Sequence, residues 1–253
     1  MQTVGFLLSG LAAGIFSGAL GVGGASVATP LIRLLGVNAY QAIGSTVPMI
    51  IPGSATGAWT YFRSGLIDNR AAAWTSLSGA VASFAGARST RLFNGSYLMI
   101  ATAAVIFFLG IRLFPERPEE KDEDPEPPRG SAAGFAALGV VSGFSSGLLG
   151  VGGGFLIVPA FIKFFRLPTK VALGTSLTVI AVTMVPNMLG HVLAKNIDWR
   201  VALLLCVAVI PGARFGARLT ILSSERPLRI TMAIAFSVAA LLYAGYELGQ
   251  LFS

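Results

Sequence analysis

Ser17–Pro30 reads SGALGVGGASVATP, and Ser146–Pro159 reads SGLLGVGGGFLIVP. The two stretches align without a gap at an offset of 129, with eight of fourteen positions identical. After one inserted residue the offset becomes 130, and three further blocks follow in the same order. Ala42-Ile43-Gly44-Ser45-Thr46 meets Ala172-Leu173-Gly174-Thr175-Ser176, Ile67-Asp68-Asn69-Arg70 meets Ile197-Asp198-Trp199-Arg200, and Gly86-Ala87-Arg88 meets Gly216-Ala217-Arg218. Ordered blocks at a nearly constant offset are the mark of an internal duplication. In each half the glycine cluster interrupts a long apolar run, which makes a broken helix the decisive element of the fold.

Between the halves lies Pro115–Gly130, PERPEEKDEDPEPPRG, which holds seven of the eleven acidic residues. The reading is therefore a first repeat over 1–114, an acidic, Pro-rich linker over 115–130 and a second repeat over 131–253. Only 11% of the residues are charged and 54% are hydrophobic, against about 25% charged in ordinary soluble domains. So few charges cannot cover a globule of this size, so lipid must be the solvent. The net charge of +7 does not indicate nucleic acid, because the basic residues stand singly or in pairs at the ends of apolar runs, where membrane proteins use them as anchors. A lone cysteine, Cys206, excludes an internal disulfide or a multi-cysteine metal site. The first twenty residues lack a basic n-region and read as an uncleaved span.

Each half divides into five apolar segments, near residues 3–20, 26–36, 41–62, 69–87 and 95–114, then 131–149, 154–166, 171–194, 200–221 and 228–251. Most reach the roughly 20 residues that a crossing helix needs. The second of each half is too short and reads as a poor span or half of a re-entrant pair. Loop charges choose between an odd and an even number of crossings per half. Four crossings would split the eighteen Lys and Arg residues eight to ten, whereas an odd number splits them five to thirteen. The positive-inside rule then favours inverted repeats, with the linker cytoplasmic and both termini outside. The expected fold is all-α and membrane-embedded: two inverted-topology repeats of about five helical segments, with broken or re-entrant helices at the glycine motifs.

The glycines carry the chemistry. Gly21, Gly23 and Gly24, and Gly150, Gly152, Gly153 and Gly154, permit positive φ and close approach of backbone to a ligand. A helix restarting at Ala25 and Ser26, or at Phe155, presents unpaired N–H groups and a positive dipole end, an anion site without a buried cation. Close helix packing uses the same small residues and stays open as an alternative. A nucleotide-binding loop is excluded, since no Lys-Ser/Thr follows the glycines and no strand precedes them. Ser45, Thr46, Thr175 and Ser176 would complete a donor shell around an oxyanion, or would bond the carbonyl one turn back. His191, the sole histidine, lies one turn after Asn187 and aligns with Tyr61 of the first half. His191 and Tyr61 are candidates for coupling or gating and Asn187 for the substrate-binding shell, with an interfacial role for the histidine left open. Arg88 and Arg218 read as snorkelling anchors. No His-Glu-x-x-His motif or carboxylate pair suggests an enzyme. No metal or cofactor is expected, and the expected partners are the bilayer and a small anionic substrate, with a homodimer left open.

The repeated LGVGG(G)…P block, the ALGTS block and the GH…NIDWR…GAR series resemble the TauE/SafE family of bacterial sulfite exporter-like permeases, over nearly the whole chain. That resemblance implies a multi-pass permease of the bacterial plasma membrane, a secondary transporter exporting sulfite, sulfoacetate or a related anion by alternating access. Its glycine motif falls on Gly21, Gly23, Gly24, Gly150, Gly152 and Gly153, its G-T-S motif on Gly174, Thr175 and Ser176, and its Gly-His pair on Gly190 and His191. The first half departs from it, with Ser45-Thr46 in place of Thr-Ser and Tyr61 in place of the histidine. An anion channel, or a permease for another small organic anion, remains the alternative.

Overall fold

A computed structural model describes residues 2–113 and 130–222. Among them the helices are α1 (Gln2–Leu20), α2 (Ala25–Leu34), α3 (Ala39–Phe62), α4 (Asn69–Ser89), α5 (Gly95–Leu113), α6 (Ala132–Leu149), α7 (Gly154–Lys163), α8 (Thr169–Leu193) and α9 (Trp199–Leu222), with a 3-10 turn at Thr90–Leu92. The described residues contain no strand. Nearly all of the linker and the last expected segment, 228–251, lie outside the described residues.

The repeated blocks mark helix ends. Asp68 caps α4 by accepting from Ala71 N, and Asp198 caps α9 by accepting from Arg200 N and Val201 N, which accounts for the duplicated Ile-Asp pair. Asn38 caps α3 through Gln41 N and Ser131 caps α6 through Gly134 N. Capping by Asn38 starts α3 at Ala39, two residues before the apolar run suggests, and α8 starts equally early behind Pro168. The short helices stop sooner than expected because Gly36 and Arg166 turn the chain at positive φ.

Packing exchanges elements between the halves. Gly10, Gly14 and Gly18 of α1 stand in turn against the backbone at Leu205, Val209 and Ala213 of α9, so the two helices run parallel. Gly139, Gly143 and Gly147 of α6 stand likewise against Thr75, Gly79 and Ser83 of α4. A small residue every fourth position lets two backbones touch, which is how helices bind where lipid removes the hydrophobic drive. At the centre α3 and α8 pack antiparallel, Gly174 beside Tyr61 and Gly57 beside Leu177. The outcome is two groups, α1–α2–α3–α9 and α4–α6–α7–α8, each assembled from both halves and meeting along α3 and α8.

The outward faces are apolar: Leu77 and Val81 of α4 and Leu203 and Val207 of α9 are all more than 60% exposed. Serines and threonines, among them Ser45, Thr46, Thr75, Ser83 and Thr175, are buried instead. That inversion suits a lipid solvent. By length and composition α1, α6, α8 and α9 can each cross a membrane.

Candidate functional site

Helices α1 and α2 form a hairpin. Gly24 lies against Ala13 and Gly5 against the side chain of Leu35, so α2 runs back along α1. The α6–α7 hairpin is built the same way, with Gly153 against Ser142 and Gly134 against Phe165. Their tips are the two glycine clusters, and the tips meet. A β-carbon built on Gly152 would stand 3.1 Å from Val22 O and 3.3 Å from Gly23 Cα. One built on Gly23 would stand 3.4 Å from Gly152 Cα and from the Cγ2 atoms of Ile50 and Ile180. These isoleucines are repeat equivalents near the midpoints of α3 and α8, so the tips touch halfway along the central helix pair.

The hydrogen bonding of the tips is incomplete among the described residues. The last N–H groups of the incoming helices are satisfied, Gly21 N by Ser17 O at 2.9 Å and Gly150 N by Ser146 O at 2.8 Å. The returning helices resume at Val27 N and Leu156 N, which donate to Gly24 O and Gly153 O. Between these points, the N–H groups of residues 22–26 and 151–155 find no acceptor among the described residues. All ten residues are buried. Orphaned buried N–H groups are rare in proteins and cost about as much as a lost hydrogen bond. Here they cluster at two helix starts, where the backbone dipoles add positive potential. Positive φ at Gly21 and Gly23, and at Gly150, Gly152 and Gly153, shapes both turns. Ala25 opens α2 as expected, whereas α7 opens one residue before Phe155, so Gly154 is helical rather than part of the loop.

Six buried hydroxyls lack a hydrogen-bond partner among the described residues, those of Ser17, Ser26 and Ser146 in the repeated glycine blocks and those of Ser54, Thr75 and Thr90 outside them. Ser146 abuts the second tip, its Cβ 3.2 Å from a β-carbon built on Gly153. Ser17 and Ser146 were not singled out from sequence, although each opens its repeated glycine block. Their equivalence at offset 129 was the available signal.

The expected hydroxyl shell divides. Ser176 Oγ donates to Gly21 O at 2.7 Å and so reaches the first tip. Thr46, its counterpart, donates to Ile43 O at 2.9 Å, within its own helix, and lies 3.2 Å from Thr29 Oγ1 on α2. Ser45 and Thr175 face away from the tips. Ser45 Oγ accepts from Asp198 N at 2.8 Å and Thr175 Oγ1 from Asp68 N at 2.9 Å. Each hydroxyl thus pins the start of α9 or α4 onto the central helix of the group it has joined.

His191 is fully buried within the protein. Its Nε2 lies 3.2 Å from Gly147 O, an atom that can only accept, so Nε2 carries the hydrogen. Its Nδ1 lies 3.5 Å from Asn196 Nδ2. Tyr61, the counterpart, donates from Oη to Gly18 O at 3.2 Å. Gly18 and Gly147 are themselves equivalents, one turn before each tip. The two unlike side chains therefore hold the same point on the two hairpins. Asn187 is buried, with Oδ1 unpartnered and Nδ2 3.5 Å from Met184 Sδ, and no contact carries it to the tips. Among the described residues, no three His, Cys, Asp or Glu side chains come together.

The family model described as Sulfite exporter TauE/SafE matches residues 6–243. A protein of Bacillus subtilis strain 168, named probable membrane transporter protein YunE, is 28% identical over 242 residues, spanning 87% of both chains. A probable membrane transporter protein of Xylella fastidiosa strain Temecula1 is 29% identical and spans 91% of both. A second protein of B. subtilis, YdhB, is named in the same way and is 26% identical over 90% of this chain and 95% of its own. No solved structure matches the chain.

Proposed function

We propose a secondary transporter for a small sulfur-containing oxyanion, from the premise that the chain belongs to the sulfite exporter TauE/SafE family and is a multi-pass membrane transporter. The observation that carries the proposal is the pair of facing tips with their orphaned N–H groups. An oxyanion leaving water must replace strong hydration, and backbone N–H groups with the Ser17, Ser26 and Ser146 hydroxyls can do so. Neutral donors leave no buried charge when the site empties, and they release the anion more readily than a fixed cation would. Ile50 and Ile180 flank the tips with apolar side chains.

The two hairpins enter from opposite ends of the antiparallel α3–α8 pair. That supports inverted repeats, with both termini on one face and the linker on the other, cytoplasmic one in a bacterial inner membrane. A periplasm-active reporter inserted at 115–130 should be silent and one fused after Ser253 active; the opposite pattern refutes this orientation. Alternating access then follows from rocking of the two mixed groups about α3 and α8. His191 and Tyr61, which tie each hairpin to the central helix of its own group, are assigned to gating.

Flux into proteoliposomes tests the whole reading. Sulfite or sulfoacetate should show saturable uptake and counterflow, sulfate and thiosulfate serving as comparison anions. Unsaturable flux without counterflow would mean a channel. His191→Ala should lower the flux several-fold with little change in substrate affinity, while His191→Gln, which can keep a donor near Gly147 O, should recover most of it. A variant that loses affinity in step with flux would place His191 in substrate binding instead.

A further inference from the structure

Arg63, at the C-terminal end of α3, and Arg214 and Arg218, one turn apart on α9, line a single open groove between the two helices. All three are exposed. None of the three guanidinium groups has an ion pair or hydrogen bond among the described residues. The only described carboxylates, Asp68 and Asp198, are engaged as helix caps. Three cations thus share one groove with no described counterion. Exposed Trp59 and Leu222 line it beside Thr56, Thr60 and Ser64, and Phe62 stacks on Trp59 with ring centroids 5.8 Å apart.

The fold does not require these arginines, and the duplication provides the comparison. The equivalent groove lies between α8 and α4, and there Leu193 stands in place of Arg63, Phe84 in place of Arg214 and Leu189 in place of Trp59. Only Arg88, the counterpart of Arg218, is kept. One of two equivalent grooves has therefore become cationic at one end of the molecule.

We propose that the α3–α9 groove binds the phosphodiester headgroup of an anionic phospholipid. Arginine forks match phosphate oxygens in pairs, and basic pockets between membrane helices are where anionic headgroups dock. Acyl chains would lie along the exposed apolar face of α9, and Trp59 is a residue of the type that anchors at a membrane interface. The exposed Trp59 and Leu222 favour a lipid over a soluble anion at this groove. The site is separate from the hairpin tips and does not depend on the transport reading.

Native mass spectrometry of the full chain with phosphatidylglycerol and phosphatidylcholine tests the assignment. The wild type should retain phosphatidylglycerol selectively. R63Q/R214Q/R218Q should bind it about a hundredfold more weakly, at roughly a fivefold loss per arginine near a membrane surface. R88Q, in the equivalent groove, should bind like the wild type. Unfolding midpoints in phosphatidylcholine alone should agree between the proteins. If the triple variant does not fold, R63Q and R214Q singly should each show the fivefold loss. Equal retention by the variants and the wild type overturns the proposal. So does displacement of the lipid by millimolar inorganic phosphate or sulfate, which would make the groove a soluble-anion site.

Discussion

Gly154→Ala is expected to abolish anion transport while leaving a folded protein. Gly154 is helical, so alanine meets no backbone penalty there and would if anything favour the helix by about 1 kcal/mol. Its β-carbon, however, would be driven into Gly21 O and Val22 Cα of the opposite tip. The two tips must separate, and on the proposed function the donors of residues 22–26 and 151–155 would no longer converge on one ligand. Charge-assisted hydrogen bonds contribute about 1.5–3 kcal/mol each, so losing two weakens anion binding by roughly a hundredfold or more. Gly23→Val and Gly152→Val should reach the same end by a different route. Both positions have positive φ, at 72° and 94°, which a β-branched residue adopts only under strain. Isothermal titration with sulfite on purified protein, beside thermal unfolding, separates the causes. If all three variants bind normally, the glycines serve packing alone and the site lies elsewhere.

Gly14→Leu and Gly143→Leu should have the opposite signature, with almost no folded protein recovered. Gly14 faces Val209 O, with Ala213 N 2.8 Å and Gly212 Cα 3.0 Å from its would-be β-carbon. Gly143 faces Gly79 O, with Gly79 Cα at 2.8 Å. The obstacles are backbone atoms, which cannot rotate aside, so a parallel helix pair has to part along its length. Overpacking on this scale belongs to the rare substitutions that cost more than about 4–5 kcal/mol, a large share of a total stability of about 5–15 kcal/mol. Yield of monodisperse protein in detergent reads the effect. Gly65→Asn is the control: Gly65 has a φ of 69°, which Asn tolerates, and nothing lies within 4 Å of its would-be β-carbon. Normal recovery of both leucine variants would mean that α1 does not rest on α9, nor α6 on α4.

The roles of the two glycine sets differ although their composition is the same. Gly21, Gly23, Gly150 and Gly152 were legible because they break an apolar run, and a break leaves N–H groups without partners wherever the helix is placed. Gly10-x3-Gly14-x3-Gly18 and Gly139-x3-Gly143-x3-Gly147 were equally visible as spacing. The spacing alone names no partner, and the partner helix came from the other half. Ser45 and Thr175 show the same limit. As isolated hydroxyls beside a glycine they fitted a donor shell, but the crossing of α9 and α4 between groups brings Asp198 N and Asp68 N within reach, and an unsatisfied buried N–H takes the nearest acceptor.

Composition, duplication and helix ends thus belonged to the sequence by itself. Few charges require lipid, repeated blocks require two like halves, and Asn38, Asp68, Ser131 and Asp198 end helices through bonds that span three residues or fewer. Such terms are local and do not depend on what the helix later touches. The tertiary structure alone decided that α1 lies on α9 and α6 on α4, that His191 and Tyr61 hold Gly147 and Gly18, and that Gly23 meets Gly152. Those outcomes rest on shape complementarity between helices distant in the chain. Within lipid no hydrophobic gradient selects one apolar face over another, so only close backbone fit across small residues makes the choice.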